Sequence, residues 1–113
     1  MRRPHHVSSR EIERKFLIKG LPVKILRSRH FPIAQGYLAN EPRGRRLRKT
    51  RHEIPWKNLK IEVDIYHGRN HGLVVAEVEF PNHASCRRFK PPRWFGREIT
   101  GEKRYSNVRL ARE

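Results

Sequence analysis

The sequence predicts an α+β protein whose body is an antiparallel β-sheet of about five strands, accompanied by one or two short helices. Two observations predict it: several short segments alternate polar and apolar residues at period two, and Gly, Pro and Asn punctuate the segments between them. A third is that acidic residues recur two apart on the alternating segments, which gives a strand one charged face and one apolar face. At 113 residues the chain holds one small domain, so an enzyme with separate cofactor and substrate domains is excluded. The hydrophobic fraction of 35% means that its core is thin.

Residues 1 to 9 form a basic tail without periodicity, expected to be disordered. Residues 11 to 18 alternate as a strand, with Glu11, Glu13 and Lys15 on one face and Ile12, Phe16 and Ile18 on the other. Gly20 and Pro22 end it. A second strand over 33 to 38 sets Gln35 and Tyr37 opposite Ala34 and Leu38, and Asn40, Pro42 and Gly44 mark the loop after it. Residues 47 to 54 make a third strand with Lys49 and Arg51 together, closed by Pro55. Residues 60 to 66 place Glu62 and Asp64 on one face against Ile61, Val63 and Ile65, and 67 to 72 read as a turn. The chain returns over 73 to 80 with Glu77 and Glu79 backed by Val74, Ala76, Val78 and Phe80. A short Asn-capped helix is expected from about 83 to 89, stopped by Pro91 and Pro92. The tail from Trp94 onward reads as irregular, with a last turn of helix after Ser106, and Trp94 and Phe95 are expected to cover the end of the sheet.

Charge dominates the composition. Lys and Arg number 27 against 11 Asp and Glu, a net charge of +16. That balance suits a polyanionic partner, whether nucleic acid, an acidic membrane surface or a phosphorylated small molecule; it also suits a merely solvated Arg-rich surface. Cys86 is the only cysteine, which excludes an intramolecular disulfide framework and fits inert packing in a reducing compartment. The basic start is not followed by the apolar run of an export signal, and no stretch is apolar enough to span a membrane, so a cytoplasmic protein without membrane attachment is expected. No helical His-Glu-x-x-His arrangement suggests zinc, and His67, His71 and His83 are expected at the surface.

Six of the eleven acids occur as three pairs two residues apart: Glu11 with Glu13, Glu62 with Asp64, and Glu77 with Glu79. Chance placement would give about one such pair. Such faces either point to water or line a charged cavity. The cations that share them, Lys15, Lys49 and Arg51, favour the cavity, because a hard divalent ion takes carboxylate oxygens while phosphate oxygens take Lys and Arg.

The segment Glu11-Ile12-Glu13-Arg14-Lys15-Phe16 resembles the ExExK signature of the CYTH domain, the triphosphate tunnel metalloenzymes. The likeness continues through Gln35-Gly36-Tyr37-Leu38, Lys49-Thr50-Arg51, Ile61-Glu62-Val63-Asp64, 72 to 80, 92 to 101 and Arg104-Tyr105-Ser106-Asn107, six further blocks in family order. The short bacterial inorganic tripolyphosphatases are the most similar members. The resemblance implies an eight-stranded antiparallel tunnel with inward charges that hydrolyses a phosphoanhydride bond of a triphosphate with Mg²⁺ or Mn²⁺. It implies that Glu11, Glu13, Glu77 and Glu79 hold the metal and that Lys15, Lys49 and Arg51 bind phosphate. Glu62 and Asp64 would line the tunnel on the substrate, and Tyr37, paired with Lys15, would be the catalytic proton acceptor that activates water.

Residues 10 to 113 therefore read as one shortened CYTH domain. In the family several strands and a helix lie between the strand of Gln35-Gly36-Tyr37-Leu38 and that of Lys49-Thr50-Arg51; here only residues 39 to 48 intervene. Five strands cannot close an eight-stranded tunnel, which predicts open edges, reduced activity and a monomer or homodimer. Two other classes stay open beside the triphosphatase: a non-catalytic phosphate or polyphosphate binder, and a nucleic-acid-binding protein without base readout.

Overall fold

A computed structural model describes residues 11–36 and 46–112 of the chain. Six strands form one antiparallel sheet: β1 (Ile12–Ile18), β2 (Arg29–Gly36), β3 (Arg46–Trp56), β4 (Leu59–Tyr66), β5 (Val74–Phe80) and β6 (Phe95–Glu98), in the spatial order β2-β3-β4-β5-β1-β6. Two helices accompany it, α1 (His83–Arg88) and α2 (Asn107–Arg112). The sheet is open, with β2 and β6 at its two margins. Among the described residues no helix is long and apolar enough to cross a membrane.

Register explains the faces. Directly opposed residues share a face, and the pairs Glu13 with Glu79, Lys15 with Glu77, Glu62 with Glu77, Glu53 with Glu62 and Arg51 with Asp64 run the charged residues of four strands side by side. The pairs Phe16 with Ala76, Val63 with Ala76 and Ile61 with Val78 do the same for the apolar face. There Phe16, Ile61, Val63, Ala76, Val78 and Phe80 form the main core, sealed by Phe89 just after α1 and by half-buried Trp94, Phe95 and Cys86. Helix α1 starts on Asn82, whose side chain accepts from the Ser85 N–H. Its end is held by Arg14, which donates to the Cys86 carbonyl at 3.1 Å and is itself bonded by two donors to the Glu98 carboxylate.

A smaller apolar cluster occupies one end of the charged face. Leu47, Tyr66 and Val75 pack there against Ile99, Leu110 and Ala111, so the C-terminal segment and α2 cover that end. The Tyr66 hydroxyl donates to the Asn107 side chain at 3.2 Å. Beneath the cover lie two buried charges. Lys49 is 2% and Asp64 5% exposed, and their charged atoms meet at 2.7 Å. Arg51 adds two donors to the same carboxylate, at 2.8 and 2.9 Å.

Several expectations need correction. The sheet has six described strands rather than five, because the segment after Trp94, read as irregular, adds β6 to the free edge of β1. Its four residues carry no alternation; what permits the pairing is Gly96, where a Cβ would stand 2.8 Å from the Leu17 carbonyl oxygen. Strand β2 starts at Arg29, four residues earlier than expected, since pairing with β3 outweighs its polar start and Pro32. Strand β3 runs past Pro55 to Trp56, because Pro55 sits near the hairpin end, where one missing ladder bond costs little. Lys57, at a φ of 57°, makes the tight turn into β4. His67 is half-buried rather than a surface residue, and its Nε2 shares a 2.7 Å hydrogen bond with the Thr50 hydroxyl. The basic tail, and Tyr37 and Leu38 of the second expected strand, lie outside the described residues.

Two outcomes are expected from this packing. Gly96→Ala should force β6 away from β1 and cost about 1–3 kcal/mol in urea unfolding, an overpacking penalty that an Ala at exposed Gly20, which has open space around it, should not show. Asp64→Ala, which strands a buried Lys49, should cost about 3–5 kcal/mol, while the apolar pair Lys49→Met with Asp64→Leu should recover most of the loss. A double variant as unstable as the single one would show that the ion pair is not the cause.

Candidate active site

On the charged face the strands line an open-sided cavity of about 690 Å³. Its walls carry Glu11 and Glu13 from the start of β1, Glu77 and Glu79 from β5, Glu62 and Lys60 from β4, and Arg51 from β3. Each arrives there because period-two alternation turns odd-numbered residues of β1, β3 and β5 and even-numbered charged residues of β4 to the same side. Five glutamates against Arg51 and Lys60 leave the cavity with an excess of carboxylate.

That excess shows in the ionisation of the site. Burial, a hydrogen bond with Glu77 and the negative charges of Glu77 and Glu11 push the Glu13 carboxyl up from its ordinary 4.5 to about 7, against the pull of Lys15. Burial also raises Glu62, only partly offset by Arg51 and Lys60. Asp64 goes the other way. Its burial alone would raise it, but the Arg51 hydrogen bond and the Lys49 charge together outweigh burial and hold it below the usual carboxylate range. Its neighbours thus divide the face into an acidic cavity and a neutralised, buried floor.

The structure brings six of the expected site residues to one cavity: Glu11, Glu13, Glu77, Glu79, Arg51 and Glu62. Lys49 and Asp64 share the face but lie buried beneath it, Lys49 with its ammonium 5.3 Å from the centre of the Tyr66 ring. Lys15 stands opposite Glu77, and its Nζ donates to the Tyr105 carbonyl at 3.3 Å. Tyr37 lies outside the described residues. Sequence reasoning passed over Lys60 and Glu53, whose charged groups approach within 3.4 Å. Both stand two residues from a recognised site residue, Glu62 and Arg51, so the same period-two rule would have found them.

The donor set suits a hard divalent cation. Carboxylate oxygens crowd together without enough cations, and burial with the neighbouring Glu77 and Glu11 outweighs Lys15, so Glu13 holds its proton to about neutral pH. Among the described residues no group of three or more His, Cys, Asp and Glu side chains is placed to hold a metal ion by itself. Mg²⁺ does not require one, since it takes one or two protein carboxylates and completes its shell with water and phosphate oxygens.

Comparison with known proteins agrees with this chemistry. No family model matches the chain. The inorganic triphosphatase of Acetivibrio thermocellus is 40% identical over 76 residues, which is 67% of this chain and 46% of that protein. The inorganic triphosphatase of Nitrosomonas europaea is 43% identical over 70 residues, 60% of this chain and 46% of that one. The chain thus spans about half the length of the curated relatives it matches. Two crystal structures, of the hypothetical protein NE1496 and of the inorganic triphosphatase NE1496, superpose with TM-scores of 0.76 at 28% identity, covering 92% of this chain and 99% and 95% of theirs. Partial coverage of the curated relatives is consistent with an internal deletion. The open antiparallel sheet, the charged face and the likeness to these inorganic triphosphatases support a CYTH, triphosphatase-type family for the chain.

Proposed function

We propose that the protein hydrolyses inorganic triphosphate, or a closely similar triphosphate, in a metal-dependent reaction on its charged face, at a rate below that of a full-length relative. The observation that carries this reading is the 690 Å³ cavity in which four glutamates of β1 and β5 face Arg51 across one surface. Its relatives of known activity bear the name inorganic triphosphatase. Glu13 and Glu77, assisted by Glu11 and Glu79, would hold Mg²⁺ or Mn²⁺, which would supply positive charge against the phosphoryl group in transfer.

The chain's own residues divide the remaining work. Arg51 presents a guanidinium at the cavity wall, with one edge engaged by Asp64 and Nη1 3.4 Å from Glu62, so it meets phosphate with its orientation already set. Asp64 and Lys49 form the neutralised floor that keeps Arg51 in place, and Glu62 limits where phosphate oxygens can sit. Lys15, anchored to the Tyr105 carbonyl, assists with phosphate oxygens, and in this reading Tyr37 takes the proton of the attacking water. The reduced rate follows from the open sheet, which admits water where a closed tunnel would exclude it.

Phosphate release from tripolyphosphate with Mg²⁺ or Mn²⁺ tests the reading directly. Glu77→Gln should lower the metal-dependent rate about 100-fold or more while the thermal transition is retained, and no release above a metal-free blank would refute the enzyme. A second outcome concerns pH. Because Glu13 titrates near 7 when folded and near 4.5 when unfolded, the folded state binds the extra proton between those values, and stability falls as pH rises through them. The melting temperature of metal-free protein should therefore drop between about pH 5 and 7.5, Glu13→Gln should flatten the drop, and Mg²⁺ should stabilise more at the upper end.

A further inference from the structure

Seven of the nine described acids lie on the charged face: Glu11, Glu13, Glu53, Glu62, Asp64, Glu77 and Glu79. The other two are already engaged, Glu98 by Arg14 and Glu102 by Arg97, each at 2.8 Å or less. The rest of the described surface is therefore cationic, and its densest stretch is residues 87 to 93, where Arg87, Arg88, Lys90 and Arg93 are all exposed and none has a carboxylate partner. Exposed Lys19 stands beside β6, its Cγ 3.6 Å from where a Cβ on Gly96, three residues beyond Arg93 in the chain, would stand.

This stretch lies across the sheet from the cavity, because Cys86 and Phe89 pack on the apolar face. Its backbone is held firmly. Phe89 is 9% exposed among Phe16, Phe80 and Phe95, and Arg14 donates to the Cys86 and Phe89 carbonyls. Pro91 and Pro92 stiffen the backbone between Lys90 and Arg93. With the backbone already fixed, meeting a polyanion orders only the four side chains.

From this geometry we infer that residues 87 to 93, with Lys19, form a docking surface for the phosphate backbone of duplex nucleic acid, separate from the cavity. Three of the four cations in the stretch are Arg, whose forked donors match phosphate oxygens. The exposed large apolar residues, Val23, Leu26 and Val108, lie elsewhere, so the stretch offers nothing to insert into a lipid bilayer. Trp94 and Phe95 are engaged edge to face at 4.8 Å and packed on the core, so they give no free stacking platform, which favours a duplex over unpaired bases. A phosphate chain bound for hydrolysis would have to enter at the other face, so the stretch serves a ligand other than the substrate. Binding here is sequence-independent and falls with salt.

The test is fluorescence anisotropy of a labelled mixed-sequence DNA duplex of roughly 20 base pairs, without metal or triphosphate, between about 50 and 200 mM salt. Substituting Arg87, Arg88, Lys90 and Arg93 by Gln together should weaken binding about tenfold or more and flatten the slope of log K against log salt by about 3. Tripolyphosphate hydrolysis by the same variant should be unchanged, and the DNA readout holds whether or not the wild type hydrolyses triphosphate. A control replacing Lys24, Arg27, Lys103 and Arg109, four exposed cations elsewhere, should lose much less. Equal losses in both variants would overturn the surface in favour of bulk charge. Displacement of the duplex by long-chain inorganic polyphosphate at far lower phosphate concentration than unlabelled DNA would overturn the choice of nucleic acid.

Discussion

Asp64, held between Lys49 and Arg51, is the interaction on which the charged face depends. Two cations and one carboxylate in contact would be costly to bury separately, but together they satisfy most of their hydrogen-bonding capacity in place. Arg51 and Asp64 are directly opposed on β3 and β4, with Lys49 diagonal to them, so the cluster rewards their register; a slip of one residue would turn Asp64 to the opposite face from Lys49 and Arg51. It also reaches the chain's end. Lys49 lies against the Tyr66 ring, Tyr66 bonds Asn107, and the segment that carries Asn107 covers the far end of the cavity face.

The sheet separates functions that a single surface could not combine. Its apolar side carries the main core, because β1, β4, β5, β6 and α1 bury the aromatic residues there. Its charged side can then hold carboxylates close enough to repel one another, a strain visible in the raised Glu13. A cation there would relieve that repulsion.

This division also explains how a chain spanning about half the length of its curated relatives retains the family fold. The core does not require a closed tunnel, since every strand that contributes to it is present and paired. Among the described strands β2 forms one margin, where Pro32 and exposed Arg29 are features that blunt a sheet edge against further pairing. Openness there bears on water exclusion from the cavity rather than on folding.

The sequence by itself determined the strands whose alternation is strong, β1, β3, β4 and β5, together with the Asn82-capped helix and the face of nearly every charged residue on them. Period two is a local property, so Glu13, Glu62, Glu77 and Arg51 could be assigned to one side before any strand had a neighbour. Strand β6 could not be read that way, because its four residues become a strand only where β1 offers an edge and Gly96 permits the approach. Nor could the difference between Arg51 at the cavity wall and Lys49 in the buried floor, two residues apart on one face. That distinction comes from the C-terminal segment folding back over Lys49 and Tyr66, a contact between residues far apart in the chain that no local pattern encodes.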